Sequence, residues 1–417
     1  MENVQTAQLM DKTNLFKNYF FTFFLGTRFF LTFGIQMQAI LVAWKIYSLN
    51  HDALSLGLIG LTEAIPALGV ALYAGHLADS QNKKTILKYC ILLLIISSLG
   101  MQLASTNVFE LNDTNQIQSL YFFVFVCGIA RGFYGPASFS LIPSLVAKEQ
   151  LVKAGTMQST AWQIAAIAGP AIGGILYSTI ELNSCFQLVL LMEGCALICL
   201  LNIRGNFTPI PIAEKESMFK RLQDGVHFVF KHKVILSAIS LDLFSVLFGG
   251  ATALLPIFAN EILMVGSTGL GILKAAPSLG AAMTMIALSF KNKIHNPGKT
   301  LLLVVAAFGL CMIAFGYSEN FYLSVFILFL SGAFDSVSVV IRSAIIQTQT
   351  PAEMRGRVAA VNTMFIGSSN EIGAFESGIA AKLFGTVPAV VGGGMITLLV
   401  VGITHVKAKA IRTFQFN

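Results

Sequence analysis

Long apolar blocks separated by short polar breaks run through the whole chain, and this rhythm leaves few folds open to it. The blocks lie at about 16–47, 54–79, 85–105, 119–146, 150–178 and 184–203, then at 234–262, 267–290, 300–317, 320–349, 353–384 and 387–406. A helix that crosses a bilayer needs about 20 mostly apolar residues, so each block is long enough to span. The pattern predicts an all-α polytopic membrane protein with twelve spans. Six form an N-terminal bundle over 1–203, a cytoplasmic linker covers 204–233, and six form a C-terminal bundle over 234–417. The linker holds Pro209 and Pro211 and then an amphipathic stretch marked by Phe219, Leu222, Val226 and Phe230.

Composition excludes the main soluble alternatives. Of the 417 residues 55% are hydrophobic and 11% charged, where a soluble domain carries roughly 25% charged residues. A chain so poor in charge cannot cover itself with a polar surface, and the spans leave no room for a catalytic domain, so no enzyme is expected. The net charge of +7 reports topology rather than nucleic-acid binding, because Lys and Arg accumulate on the cytoplasmic side of membrane proteins. With both termini inside, 21 of the 27 basic residues fall in inside segments. The remainder are Arg28, Lys45, Arg131, Lys274, Arg342 and Lys382. Lys45 and Lys382 lie near outer span ends, where they can snorkel, and Arg342 is expected near the inner surface against lipid phosphate or a helix end. The polar residues Met1 to Asn14 precede a long span that lacks a small-residue cleavage site, so no signal peptide is expected.

Cofactor chemistry finds no footing. The six cysteines sit inside apolar runs without CxxC spacing, and the six histidines are scattered without an HExxH pattern, so neither a metal nor a redox site is expected. Gly298-Lys299-Thr300 ends like a phosphate loop, but Lys293 stands where that loop needs glycine. No cofactor follows.

The two halves read as copies. A shift of 204 brings Gly128, Glu149, Gly169 and Gly174 onto Gly332, Glu353, Gly373 and Gly378, and a shift of 211 brings Pro66-Ala-Leu-Gly69 onto Pro277-Ser-Leu-Gly280. Transporters are often built from such repeats, with the substrate site at their interface.

Gly75-His-Leu-Ala-Asp79-Ser-Gln-Asn-Lys83-Lys84, between spans 2 and 3, resembles the signature loop of the major facilitator superfamily, with Ser80 and Asn82 where the family has a basic residue and a glycine. Arg131 with Gly135 is similar to its fourth-span motif. Gly169-Pro170-Ala-Ile-Gly173-Gly174 is similar to the end of its antiporter motif. Three further segments look like the bacterial branch that contains siderophore exporters. They are Leu241-Asp242 through Gly250, Ser369-Asn370-Glu371-Ile-Gly373-Ala-Phe-Glu376-Ser-Gly378, and Pro351-Ala-Glu-Met-Arg355-Gly-Arg357-Val. The resemblance implies the two-bundle transporter fold, an inner-membrane location and export. It also implies a cytoplasmic gate, for which Gly75, Asp79, Lys83, Lys84, Arg355 and Arg357 are the candidates.

Charges inside a bilayer are costly and mark function by default. The acids within spans are Glu63, Glu193, Asp242, Asp335, Glu371 and Glu376. The repeat sets Arg131 on Asp335, Glu63 on Lys274 and, with a shift of 214, Arg28 on Asp242. These opposite charges at equivalent positions are expected to form switchable pairs, Arg131 with Asp335 first. Gly169, Gly173, Gly174, Gly373 and Gly378, with Pro170, are expected to let helices pack closely. Phe29, Phe133, Tyr134, Phe244 and Phe334 are expected to line a cavity for an aromatic or amphiphilic solute. Thr350-Pro351-Ala-Glu353 reads as a capping box that starts span 11.

The expected function is secondary active transport, as a proton-coupled or sodium-coupled antiporter exporting a small organic solute such as a siderophore or drug. The chain would work as a monomer among membrane lipids. Lipid or lysophospholipid translocation on the same fold, and a receptor or scaffold that transports nothing, are the other readings.

Overall fold

A computed structural model describes residues 15, 18–106, 110–205, 207, 218–290 and 296–415. Twelve long helical segments and one amphipathic helix appear among them, and no strand. The helices are α1 (Tyr19–Asn50), α2 (Ala53–Ser80), α3 (Lys83–Ser105), α4 (Asp113–Leu145), α5 (Leu151–Thr179), α6 (Leu182–Asn202), α7 (Met218–Lys231) and α8 (Lys233–Gly249). After α8 come α9 (Gly266–Ser289), α10 (Pro297–Gly316), α11 (Phe321–Gln349), α12 (Arg355–Phe384) and α13 (Thr386–Lys407). Eleven segments among the described residues are long and apolar enough to cross a membrane. The twelfth, α12, is 30 residues long and is diluted by Arg355, Arg357, Asn370, Glu371 and Glu376.

Several helix starts follow from single side chains. The Asn82 side-chain oxygen accepts from the amides of Lys84 and Thr85 at 3.0 and 3.3 Å, capping α3. Asn112 and Asn320 cap α4 and α11 in the same way, at 2.8 and 3.0 Å. Each such cap is worth about 1 kcal/mol. Asn82 thus fills the place of the family's glycine with a residue that starts the next span.

Two local expectations are corrected. Span 7 is not one helix: α8 ends at Gly249, a 3-10 turn covers Ala251–Leu254, and a π turn covers Phe258–Ile262. Gly249, Gly250 and Pro256 are the cause. Glycine weakens a helix, and proline removes an amide donor. The opened backbone is satisfied from a neighbour, since Ser377 donates to the Gly250 carbonyl at 3.3 Å. In the π turn, Glu261 accepts from the Tyr47 hydroxyl. The capping box at 350–353 does not form either. Thr350 is the extended residue that closes α11, Ala352–Met354 makes a 3-10 turn, and α12 begins at Arg355 without a side-chain cap. With only Pro351 between the helix end and that turn, Thr350 cannot serve both elements.

The contacts group into two units, Met1–Lys45 with Ile65–Lys215 and Ile46–Ala64 with Glu216–Asn417. In the first, α3 packs along α4 and α6. Gly169 and Gly173 on α5 lie against α1, where an added Cβ would come within 2.9 Å of Gln36 and 3.0 Å of Met37. In the second, α9 packs on α11, α10 on α11 and α13, and α8 on α12 and α13. The tip formed by the end of α1 and the start of α2, read from sequence as part of the N-terminal bundle, groups with this second unit. There Gly378 on α12 meets Gly57 on α2, an added Cβ at Gly378 lying 2.9 Å from the Gly57 Cα, and Lys382 pairs with Asp52 at 3.4 Å.

Candidate functional site

The strongest concentration of buried charge lies in the second unit. Asp242, on the inward face of α8, is ion-paired with Arg342 on α11. Their exposures of 6% and 2% put the pair out of water. Arg342 therefore does not reach lipid phosphate at the inner surface. The expected partner of Asp242 was Arg28 of the first unit, whereas within its own unit Arg342 holds it.

Asp335 precedes Arg342 by seven residues, nearly two turns, so both fall on one face of α11. With Asp242 it lines a small pocket of about 10 Å³. Ser245 on α8, Phe308 on α10, and Phe334 and Ser338 on α11 also line it. The Ser338 hydroxyl is buried without a hydrogen-bonding partner. Two acids thus line a small, partly aromatic pocket, and Arg342 is paired with one of them. This arrangement carries a net negative charge when both acids are ionised, and a proton or a cation would neutralise it.

The remaining candidates divide by unit. In the second, Lys274 on α9 lies within electrostatic reach of Glu371 on α12. The Glu371 carboxylate lies 3.0 Å from where a Cβ on Gly60 would sit. Glu63 and Glu376 are half-buried. Gly373 lies against α8, where an added Cβ would sit 2.7 Å from the Leu247 carbonyl oxygen. Phe244 stacks on Phe248 at 6.5 Å and is largely exposed.

In the first unit, the Arg28 guanidinium lies 5.7 Å from the ring centre of buried Tyr134. Phe29 contacts Phe30 and Phe33 at 5.4 and 6.2 Å, and Phe133 meets Tyr73 edge-on at 6.1 Å. Arg131 is exposed within its unit.

The gate candidates engage elements of their own units. Lys83 donates to the Ser140 carbonyl at 2.9 Å, and Lys84 to those of Leu201 and Ile203 at 2.9 and 2.6 Å. These contacts tie the start of α3 to the ends of α4 and α6, where cations suit the helix dipole. Gly75 is half-buried, and the Asp79 side chain lies outside what is described. Arg355 donates to the Thr350 carbonyl at 3.3 Å. Arg357 pairs with Asp224 on α7 at 2.6 Å, a pair exposed to 25% and 38%. Exposed pairs contribute about 0–1 kcal/mol, so Arg357→Ala is expected to cost no more than about 1 kcal/mol in thermal unfolding. A larger loss would mean that α7 depends on it for docking.

Two buried groups escaped the sequence reading as site members. Arg342 was visible as an arginine sharing a face with Asp335. Glu193 was visible as an acid within a span, but the repeat supplied no partner for it.

The long apolar helices and the buried charge cluster among the described residues define a membrane transporter, and the comparisons agree. The chain matches the transmembrane secretion effector family, MFS_3, over residues 14–415, and it belongs to that family of the major facilitator superfamily. It is 24% identical over 381 residues to the enterobactin exporter EntS of Escherichia coli O1:K1 / APEC, covering 90% of this chain and 88% of the relative. The same protein of Shigella boydii serotype 18 matches equally. Among solved structures, a POT family transporter in complex with 5-aminolevulinic acid aligns with a TM-score of 0.75 at 14% identity, over 97% of this chain and 99% of that one. A D-xylose–proton symporter aligns with a TM-score of 0.72 at 12% identity, over 95% and 99%. The chain is a transporter and not an enzyme.

Proposed function

We propose that the chain is a proton-coupled antiporter that exports a small organic solute across the bacterial inner membrane by alternating access. The observation that carries this reading is that Asp335 lines one pocket with Asp242, the carboxylate that Arg342 holds. Buried charge of this kind is retained where it works. Here it forms a set whose balance changes when a proton binds. A ligand moves a conformational equilibrium only by its differential affinity for the states, and a carboxylate that trades a proton for a contact with Arg342 supplies that difference. The room inside the pocket, about 10 Å³, is about that of one water-sized sphere, far below what a drug-sized solute needs. We therefore assign it to the coupling ion rather than to the solute.

Export of a siderophore-like or drug-like molecule rests on the likeness to an enterobactin exporter. The inward placement of both termini rests on the distribution of Lys and Arg.

The test is solute-dependent proton movement in liposomes carrying the purified protein, with catecholate siderophores and cationic dyes as probes. Wild type is expected to give a signal and Asp335→Asn to lose it. A full signal in the variant would remove Asp335 from the coupling path. Silence with every solute, with exchange of lysophospholipid instead, would replace the reading with lipid translocation.

A further inference from the structure

Glu193 sits in the middle of α6, in the first unit, and is not used by the mechanism above. Its side chain is wholly buried. The Ser98 hydroxyl donates to Oε1 at 2.9 Å, and Oε2 has no hydrogen-bonding partner. A Cβ added to Gly34 would lie 3.3 Å from the Glu193 Cγ, so α1 closes over the carboxyl from the other side.

An ionised carboxylate offers about four lone-pair sites, and this site supplies one donor. Buried charges are otherwise paired or hydrogen-bonded. The cations of the surrounding helices are engaged elsewhere. On α1, Arg28 lies over Tyr134 and Lys45 lies within reach of Asp113. On α3, Lys83 and Lys84 hold backbone carbonyls and Lys88 lies over Tyr89. On α4, Arg131 is exposed, and an uncharged thiol, Cys127, lies within reach of Glu193. A proton would supply the missing counter-charge.

A row of polar side chains on α3 leads away from the carboxyl. Ser98, Gln102 and Ser105 recur at spacings of four and three, which places them on one face, and all are buried. Gln102 donates to the Asn183 side chain at the start of α6, at 2.6 Å. The Ser105 hydroxyl, on the last residue of α3, is buried without a partner. This polar row rises about 10 Å along the helix, away from the lysines at its other end.

We propose that Glu193 is a proton-binding site of the first unit, loaded and emptied through the row Ser98, Gln102 and Ser105. On the orientation given under Proposed function, on which this clause rests, the row opens to the outer face, from which an antiporter takes its protons. Loading forms an O–H bond on Oε2 at the expense of a hydronium ion, which is left as water. Unloading returns the proton to water.

Infrared difference spectra of the purified protein in lipid, recorded between low and high pH, test this. Wild type is expected to show a carboxylic-acid carbonyl band that disappears as pH rises. Glu193→Gln, isosteric with the protonated acid, should lack that component. Ser98→Ala should keep it at a higher frequency, since a hydrogen bond to the carboxyl is lost. After a pH jump, Gln102→Leu should slow its change at least tenfold. A band unaltered in Glu193→Gln, or a Glu193 band that persists at every pH, overturns the site; an unchanged rate in Gln102→Leu overturns the route. Asp335→Asn should leave the Glu193 band in place. Failure of Asp335 as the coupling acid is thereby separable from failure of this site.

Discussion

Asp242→Ala is expected to destabilise the protein by about 3–5 kcal/mol, because removing one partner of a buried ion pair strands the other. Arg342 is 2% exposed, on a helix whose Ile341 and Ile345 are buried in an apolar cluster. It cannot reach water without moving α11. Asp242→Asn should cost less, since the amide oxygen still accepts from the guanidinium. The decisive variant is the double replacement Asp242→Leu with Arg342→Met. Exchanging a whole buried pair for apolar side chains of similar volume is often neutral or stabilising, so this variant should unfold near wild type in detergent while transporting nothing. Thermal unfolding followed by the monodisperse fraction, beside solute flux in liposomes, separates the two effects. If the double variant still transports, the pair is structural and coupling lies elsewhere. If Asp242→Ala unfolds like wild type, the pair is not formed in the resting protein.

The parts of this fold that were legible in sequence are those set by local chemistry. Apolar blocks located the spans because lipid admits no polar backbone without an internal partner. Gly249, Gly250 and Pro256 were equally local. They lay inside a strongly apolar run, and hydropathy does not register a broken backbone. The failed capping box has another cause. Thr350 could cap the helix after it or close the helix before it, and the single residue before the next turn decided for the second.

The pairing of Asp242 with Arg342 was not legible. The two positions are one hundred residues apart, and their meeting depends on how α8 and α11 are rotated about their axes. The repeat hints at equivalent positions, not at contacts. Glu193 was legible as an anomaly alone, because an isolated acid says nothing about the serine on α3 that meets it.

That rotation is itself set by small residues, and Gly332→Val is expected to be the most damaging apolar substitution in the second unit. A Cβ at Gly332 would stand 1.9 Å from the Pro277 carbonyl oxygen, and one at Gly280 would stand 1.9 Å from that of Phe329. The glycine of each helix therefore faces the backbone of the other, the close approach on which membrane helix interfaces rely. The obstruction is main chain on both sides, so no rotamer change relieves it. Overpacking costs about 1–3 kcal/mol in ordinary cores, and Gly332→Ala should lie at the top of that range, with Gly332→Val beyond it. Gly402 on α13, where an added Cβ meets nothing within 4 Å, is the control. There alanine removes a helix penalty of about 1 kcal/mol and should not destabilise. The damage at Gly332 should reach the pocket as well, because Asp335 follows three residues later on α11, so proton coupling should fall in any molecules that remain folded. Should Gly332→Ala unfold no earlier than Gly402→Ala, α9 and α11 do not cross as closely as described, and the placement of Asp335 against α8 would have to be redrawn.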